Sequence, residues 1–183
     1  MNEAEYQFNF PDGVSIPPLL RELLHFQNQS REWYSGHFEL DKWPYGQSHW
    51  FQGERAVSER FIVIGHGPDG SLYALWLHSG QAVEVAPIVF LGSEGTGCSL
   101  IADNLTQFLS LLAIGADDLG FNVSWGEIVQ GDPPAKRLTE FREWLKARLG
   151  ISSPSEPLAV IKEARSRHPD FVAWLEAWRA SGA

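Results

Sequence analysis

The feature that most constrains the fold is the stretch at residues 86–95, an apolar run that ends in a glycine-rich acidic turn. Residues 88–91 are four consecutive apolar side chains, Ile-Val-Phe-Leu. A run without polar alternation predicts a strand that is covered on both faces. Pro87 lacks an amide donor and therefore fits only at the beginning of such a strand. We expect this strand at the centre of the fold, followed by the turn that carries Glu94.

A helix is predicted shortly after that turn. Asn104 is a favourable N-cap residue, and Gln107 stands three residues later, in the capping-box position. The apolar residues that follow recur at helical spacing and would form one buried stripe, at Leu105, Phe108, Leu109 and Leu112. The central strand, the acidic turn and this helix are therefore predicted to form one packed unit.

Two further strands are predicted on either side of Gly65-His66-Gly67-Pro68-Asp69-Gly70, at residues 61–64 and 72–77. This spacing matches G-x-G-x-x-G, which also occurs in dinucleotide-binding sites when the last glycine opens a helix. Here Pro-Asp-Gly favours a turn and a strand follows, so we predict a hairpin and no bound cofactor. Val83-Glu84-Val85 alternates as a further short strand would. Tight turns between successive strands indicate a mainly antiparallel sheet.

The N-terminal part is predicted to contain a loop at residues 6–13, and then a helix capped by Ser15. An aromatic, glycine-containing segment at residues 33–51 follows, with one short strand around residues 37–40. After the helix predicted to begin at Leu105, Asp117-Asp118 begins a turn, and residues 121–129 are expected to be irregular.

The C-terminal part has a different pattern, which begins at Asp132. Three apolar stripes of helical spacing follow one another, with Gly150 closing the first, Ser155 preceding the second and Asp170 preceding the third. We therefore predict an α+β fold with a twisted, mainly antiparallel sheet and flanking helices in residues 1–131. Residues 132–183 are predicted to be a helical extension that packs on it.

Acidic charge is concentrated in the first part of the chain. Residues 1–131 carry a net charge of −11 and residues 132–183 a net charge of +2, within a total of −9. Residues 61–135 contain no lysine or arginine. Such a surface repels nucleic acid and anionic lipid and attracts basic proteins. The alternative interpretation is an acidic surface that only keeps the protein solvated.

Several other functions are disfavoured by the sequence. The sequence contains no run of eighteen apolar residues, so no membrane span is predicted. The N-terminus is acidic and does not resemble a secretory signal. Both observations favour the cytoplasm. The single Cys98 excludes an internal disulfide, and the six histidines show no i, i+4 pair, so no metal site is predicted. Leu91 stands where a G-x-S-x-G nucleophile motif around Ser93 would need glycine.

The order of these elements resembles the SUKH superfamily, which includes yeast cell-wall-assembly regulators and many bacterial immunity proteins. The resemblance covers residues 17–119, from the proline-containing helix through the hairpin and the residues 86–95 to the helix at Leu105. It implies an α+β domain that binds other proteins and performs no catalysis. It also implies that a bacterial member neutralises a toxin domain delivered by a neighbouring cell.

Residue chemistry and the resemblance together lead to one functional hypothesis. The chain is expected to be a non-enzymatic immunity-type protein that binds a basic toxin domain, such as a nuclease, through an acidic face. The alternatives are an adaptor or regulatory module of the same fold without a toxin partner, and a small hydrolase. Partly exposed tryptophans among Trp33, Trp43, Trp50 and Trp76 would add binding contacts. The predicted partner-binding residues are Asp69, Glu84, Glu94, Asp117, Asp118 and Trp76, with the turns of Asp69, Glu84 and Glu94 converging at one sheet end.

Overall fold

The computed structural model describes residues 1–43, 50–78 and 80–181. Within these ranges a five-stranded sheet, antiparallel throughout, is flanked by helices on both faces. The predicted α+β class with a mainly antiparallel sheet and a C-terminal helical extension is confirmed. The predicted aromatic segment includes Tyr45 and other residues outside the described ranges, and Ser79 also lies outside them.

The strands follow one another across the sheet in sequence order, each antiparallel to the next. The predicted hairpin is confirmed, because the glycine motif links two paired strands and Gly67 N donates to the Ser71 carbonyl at 2.9 Å. The fifth strand is not predicted by the sequence, because its residues resemble the approach to a helix. The strands are β1 Glu39–Leu40, β2 Phe61–His66, β3 Leu72–Trp76, β4 Ile88–Leu91 and β5 Ser99–Ala102.

Helices occur before, between and after the strands. Short 3-10 turns cover Gln7–Asn9 and Val83–Val85, and the sixth helix continues as a π-helical turn over Leu145–Leu149. The helices in the described ranges are α1 Glu3–Tyr6, α2 Pro18–Gln27, α3 Arg55–Ser58, α4 Leu105–Leu112, α5 Leu119–Ser124, α6 Leu138–Trp144, α7 Pro157–Arg167 and α8 Phe171–Ala180. None of these helices has the length and apolar character that crossing a bilayer requires.

The stretch at residues 86–95 forms an interior strand covered on both faces, as the sequence predicts, but the middle strand of the sheet is β3 and β4 lies next to the edge strand β5. All four residues of β4 are buried, and β4 pairs with β3 on one side and β5 on the other. Pro87 precedes the strand, and its carbonyl accepts a hydrogen bond from Trp76 N at 2.9 Å. Asn104 caps α4 by accepting from Gln107 N at 3.0 Å. The Gln107 side chain in turn accepts from Asp103 N, one residue before the N-cap.

The two faces of the sheet bury two different sets of side chains. On the first face, Ile62, Tyr73 and Phe90 pack with the apolar sides of α2, α4 and α6. On the second face, Phe61 and Trp76 belong to a cluster with residues of α7 and α8. The C-terminal helices therefore contact both faces of the sheet, while the division of the chain at residue 131 stays a prediction.

The N-terminal expectations were wrong in two details. Ser15 does not cap the helix, because α2 begins at Pro18 with Pro17 in the N-cap position, and Pro17 has no side-chain donor or acceptor. The sequence predicts a loop at residues 6–13, but Tyr6 is the last residue of α1 and a 3-10 turn follows at Gln7–Asn9. Tyr6 is also fully buried. The Tyr6 hydroxyl donates to the Ile64 carbonyl at 2.7 Å, which satisfies a polar group that burial would otherwise penalise.

Two other segments also differ from the expectation. The alternating residues 83–85 form a 3-10 turn instead of a strand, with Glu84 and Val85 exposed and only Val83 packed partly against the core. Residues 121–124, which belong to the stretch predicted to be irregular, lie in α5. Leu119 and Val123 are spaced i, i+4 and both enter the core, so burial of one helical face stabilises this short segment.

Candidate functional site

One end of the sheet gathers most of the predicted acidic residues. In an antiparallel sheet of sequential strands, the β2–β3 turn and the β4–β5 turn lie at the same end, as the Leu72–Leu91 and Phe90–Ser99 pairs require. Asp69 lies in the first of these turns and Glu94 in the second, and both are exposed. We call Asp69, Glu94, Asp117 and Asp118 the acidic end.

Asp69 connects the two turns. Its carboxylate accepts from Ser71 N at 3.0 Å, and also from the Ser93 hydroxyl at 3.0 Å across the gap between the turns. Desolvation alone would raise the pKa of Asp69, but the hydrogen bonds from Ser71 and Ser93 outweigh it and lower that pKa. Asp69 is therefore held as a carboxylate in a fixed position.

Asp118 approaches the same end from α5. Its side chain caps that helix by accepting from Phe121 N at 3.1 Å, and Tyr73 OH lies 3.5 Å from its carboxylate. Tyr73 OH also accepts from Gly120 N at 2.9 Å, which ties the first turn of α5 to β3. Burial raises the pKa of Asp118, and the nearby carboxylates of Asp69 and Asp117 raise it further.

Asp117 completes the acidic end on the exposed side. Its carboxylate lies 3.3 Å from His37 Nδ1, and its backbone carbonyl accepts from His37 N at 3.1 Å. The segment before β1 is thereby joined to the N-terminal side of α5. Three loops and one helix start thus present carboxylates at one end of the sheet.

Two predicted site residues lie elsewhere. Glu84 is exposed but belongs to the connection between β3 and β4, which is at the opposite end of the sheet. The expected convergence of its turn with those of Asp69 and Glu94 is wrong. Trp76 is 1% exposed, so the expectation that it remains partly exposed is also wrong; its ring packs against Phe171 and Trp174.

Basic side chains from the C-terminal region contact the acidic part of the chain. Asp103 pairs with Arg167 at 2.8 Å and with His168 at 2.7 Å, so its charge is compensated. Arg179 donates to the Gly95 carbonyl, beside Glu94. The absence of lysine and arginine from residues 61–135 therefore does not make the surrounding surface free of basic groups. Within the acidic end, no lysine or arginine of the described residues pairs with a carboxylate.

Sequence reasoning missed three exposed apolar residues next to the acidic end. Phe121, Trp125 and Val129 are 51%, 69% and 46% exposed. The sequence predicts irregular structure for residues 121–129, and an irregular segment assigns its side chains to no particular face. The i, i+4 spacing of Phe121 and Trp125, opposite Leu119 and Val123, was the available signal.

A second cluster contains the residue types of a hydrolase site. A cleft of about 420 Å³ is lined by Cys98, Ser99, Ser124 and His168, among others. Burial raises the pKa of the Cys98 thiol, which disfavours the nucleophilic thiolate. Both ring nitrogens of His168 are engaged, one with Asp103 at 2.7 Å and the other with His78 at 3.3 Å. This geometry does not favour His168 as a general base for the cleft.

Metal binding finds no support in the described ranges, where no group of three or more His, Cys, Asp or Glu side chains could hold an ion. His66 and Asp41 lie 3.5 Å apart near the acidic end, but they form only a pair.

Replacing Asp118 with asparagine is expected to raise the free energy of unfolding at pH 7. Because the folded pKa of Asp118 is raised, the carboxylate form costs stability above that pKa, and this cost disappears below the unfolded pKa. Asparagine keeps the N-cap, since its carbonyl oxygen also accepts from Phe121 N. Urea unfolding of the variant should show a gain at pH 7 that shrinks as the solution is acidified.

Asp117→Asn is the matched control, because Asp117 is exposed and pairs with His37. It should give no gain at pH 7. The absence of a gain in Asp118→Asn at pH 7, as expected for Asp117→Asn, would contradict the destabilising role given to the partly buried charge of Asp118.

Comparison with known proteins adds no relative to this description: no family model, no curated protein and no solved structure matches the chain.

Proposed function

We propose that the chain is a non-enzymatic binding protein of SUKH type that neutralises a basic toxin domain, such as a nuclease, in the cytoplasm. The observation that carries the proposal is the gathering of Asp69, Glu94, Asp117 and Asp118 at one end of the sheet. The α+β architecture is compatible with the superfamily that the sequence resembles. The buried core provides a rigid support on which the carboxylates keep their positions.

Electrostatic considerations support a basic protein as the partner. Clustered carboxylates steer a positively charged surface into encounter and discourage wrong partners, and the protein as a whole carries a net charge of −9. A toxin that acts on nucleic acid must present a basic cleft to its substrate. An inhibitor that covers such a cleft gains both speed and specificity from an acidic contact surface.

The arrangement also supports binding more than catalysis. Asp118, whose pKa is raised, uses its side chain to cap α5 and to contact Tyr73. Asp69 is held by Ser71 and Ser93 in a turn that is open to solvent. An adaptor or regulatory module without a toxin remains the alternative, and it would use the same surface for a different partner.

The test is the rate of association with the purified product of the neighbouring gene, measured at several ionic strengths. The variant Glu94→Lys/Asp117→Lys is expected to associate about tenfold more slowly at low salt, since steering accounts for factors of this order. Asp69 and Asp118 are left unchanged because their side chains hold a turn and a helix.

Glu84→Lys is the control for position, because Glu84 is exposed at the other end of the sheet, and Glu94→Lys alone is the variant with the same change in net charge. At equal ionic strength Glu84→Lys should slow association much less than Glu94→Lys or the double reversal. The acidic-end model fails if the rate is indifferent to salt, or if the control and the double variant slow it equally. A neighbouring product that does not bind at all would reject the toxin hypothesis and favour the adaptor.

A further inference from the structure

The segment from Ala116 to Gln130 is a rigid support beside the acidic end. Its two ends are bridged as a short antiparallel pair, with Asp117 N donating to the Val129 carbonyl at 2.9 Å. The inner face of α5 is seated in the core through Leu119 and Val123, which are 4% and 2% exposed. The segment is thus a fixed part of the fold and presents its outer face in one orientation.

The outer face of this segment is apolar although it faces solvent. Phe121 and Trp125, one helical turn apart, have ring centroids 6.2 Å from each other, and Val129 follows in the return segment. Isolated exposed apolar residues are normal on a protein surface, but a cluster with two large aromatic rings marks an interaction site. Tryptophan and phenylalanine are enriched where interfaces are fully desolvated.

Carboxylates accompany these rings. Asp118 is the N-cap of α5 and Asp117 precedes it, while Glu127 is exposed directly after the helix. The Ser124 hydroxyl donates to the Gly97 carbonyl, which fixes α5 to the β4–β5 turn that also carries Glu94. An apolar centre with a charged rim is the usual anatomy of an interface hot spot.

We infer that the outer face of the segment from Ala116 to Gln130, formed by Phe121, Trp125 and Val129, is the apolar centre of the partner-binding surface. Its occupant is a basic protein with an apolar hollow flanked by lysine or arginine side chains. The inference rests on the proposed function and deepens it, since it names the contact that provides the binding energy while the acidic end provides steering.

Charge argues against a second copy of this chain as the occupant. A symmetric contact would bring the patch that carries Asp117, Asp118 and Glu127 on one copy against the same acidic patch of the other. Like charges in such a contact oppose association, and the protein already carries a net charge of −9. A basic partner turns the same carboxylates into favourable contacts.

The test begins with site-specific photocrosslinking in the cells that produce the protein. The photoreactive amino acid p-benzoylphenylalanine replaces Trp125 in one variant, Glu94 in a second and Phe8 in a third. Phe8 is the matched control: it is an exposed aromatic residue, 74% exposed, whose ring lies under the Lys42 ammonium at 4.3 Å. Mass spectrometry should identify the same basic protein from positions 125 and 94, and none from position 8.

Affinity measurements with that purified protein complete the test. Trp125→Ala should raise the dissociation constant at least about 30-fold, as expected for an interface hot spot. Phe121→Ala should also raise the dissociation constant, and Phe8→Ala should leave it within about twofold. The high exposure of Trp125 means that its truncation should leave thermal stability nearly unchanged.

The possible failures are distinguishable. A basic partner that crosslinks at position 94 but not at 125, or whose affinity survives Trp125→Ala, overturns the inference and leaves the proposed function standing. A crosslink at 125 to another copy of this chain, or to an acidic protein, also overturns it. If no basic protein crosslinks at 94 or 125, both the inference and the proposed function are rejected.

Discussion

Replacing Phe171 with alanine is expected to lower the free energy of unfolding by about 3–5 kcal/mol, the usual cost of truncating a buried phenylalanine. The side chain is 2% exposed at the beginning of α8. Its ring centroid lies 4.9 Å from that of Trp76 and 6.3 Å from that of Phe61, both on the second face of the sheet. Truncation would leave a cavity between α8 and the second face of the sheet.

Thermal unfolding measures this effect directly. For a chain of this size the loss corresponds to a decrease in Tm of about 6–20 °C. Val172→Ala is the matched control, since its side chain is 41% exposed and adjacent in sequence, and it should change stability by no more than about 0.5 kcal/mol. Equal melting temperatures for Phe171→Ala and the unmutated protein would show that α8 does not stabilise the sheet.

Elements with a strong local pattern were predictable from the sequence. β4 is indicated by four consecutive apolar residues after Pro87, and α4 by the cap at Asn104 with its apolar stripe. The β2–β3 hairpin follows from Pro-Asp-Gly between two apolar runs. In each case the residues that determine the element are neighbours in the chain, so no tertiary information is needed.

Elements that depend on distant contacts were predicted less well. β5 is only four residues long, and its strand state is fixed by pairing with β4. Tyr6 is buried because it reaches the Ile64 carbonyl, 58 residues away. Neither position carries a local signal that separates it from a loop. Such segments obtain their structure from the surface against which they pack.

The candidate site was partly predictable for a geometrical reason. Connections in a sheet of sequential antiparallel strands alternate between its two ends, so Asp69 and Glu94 share an end only if Glu84 is at the other. Recognition of β5 would have made this alternation evident from the sequence. The pairing of Asp103 with Arg167 and His168 could not be foreseen, because 64 and 65 residues separate the partners.

Replacing Gly36 with alanine is expected to destabilise the protein by about 2–5 kcal/mol, the sum of a left-handed backbone penalty and a steric clash. Gly36 has φ +48°, and a Cβ atom there would lie 2.0 Å from the Ala116 carbonyl oxygen and 2.4 Å from that of Asp117. Both obstacles are backbone atoms, so neither can move aside as the end of a flexible side chain can.

The strain would be felt at the acidic end. His37 N donates to the Asp117 carbonyl at 3.1 Å, and the Ser35 hydroxyl donates to the Leu112 carbonyl. Residues 35–37 are therefore bonded to the end of α4 and to the segment that leads into α5. Moving this segment outward to fit a methyl group would break those contacts. It would also displace Asp117 from the position in which it accompanies Asp118.

Gly13→Ala separates the two causes, because Gly13 has φ +82° but no atom within 4 Å of the position that a Cβ would take. Its loss should be limited to the backbone penalty of about 1–2 kcal/mol. Urea unfolding should therefore place Gly36→Ala at least about 1 kcal/mol below Gly13→Ala. Equal losses in the two variants would mean that the close approach of Gly36 to Ala116 is not needed, and that the acidic end can be held without it.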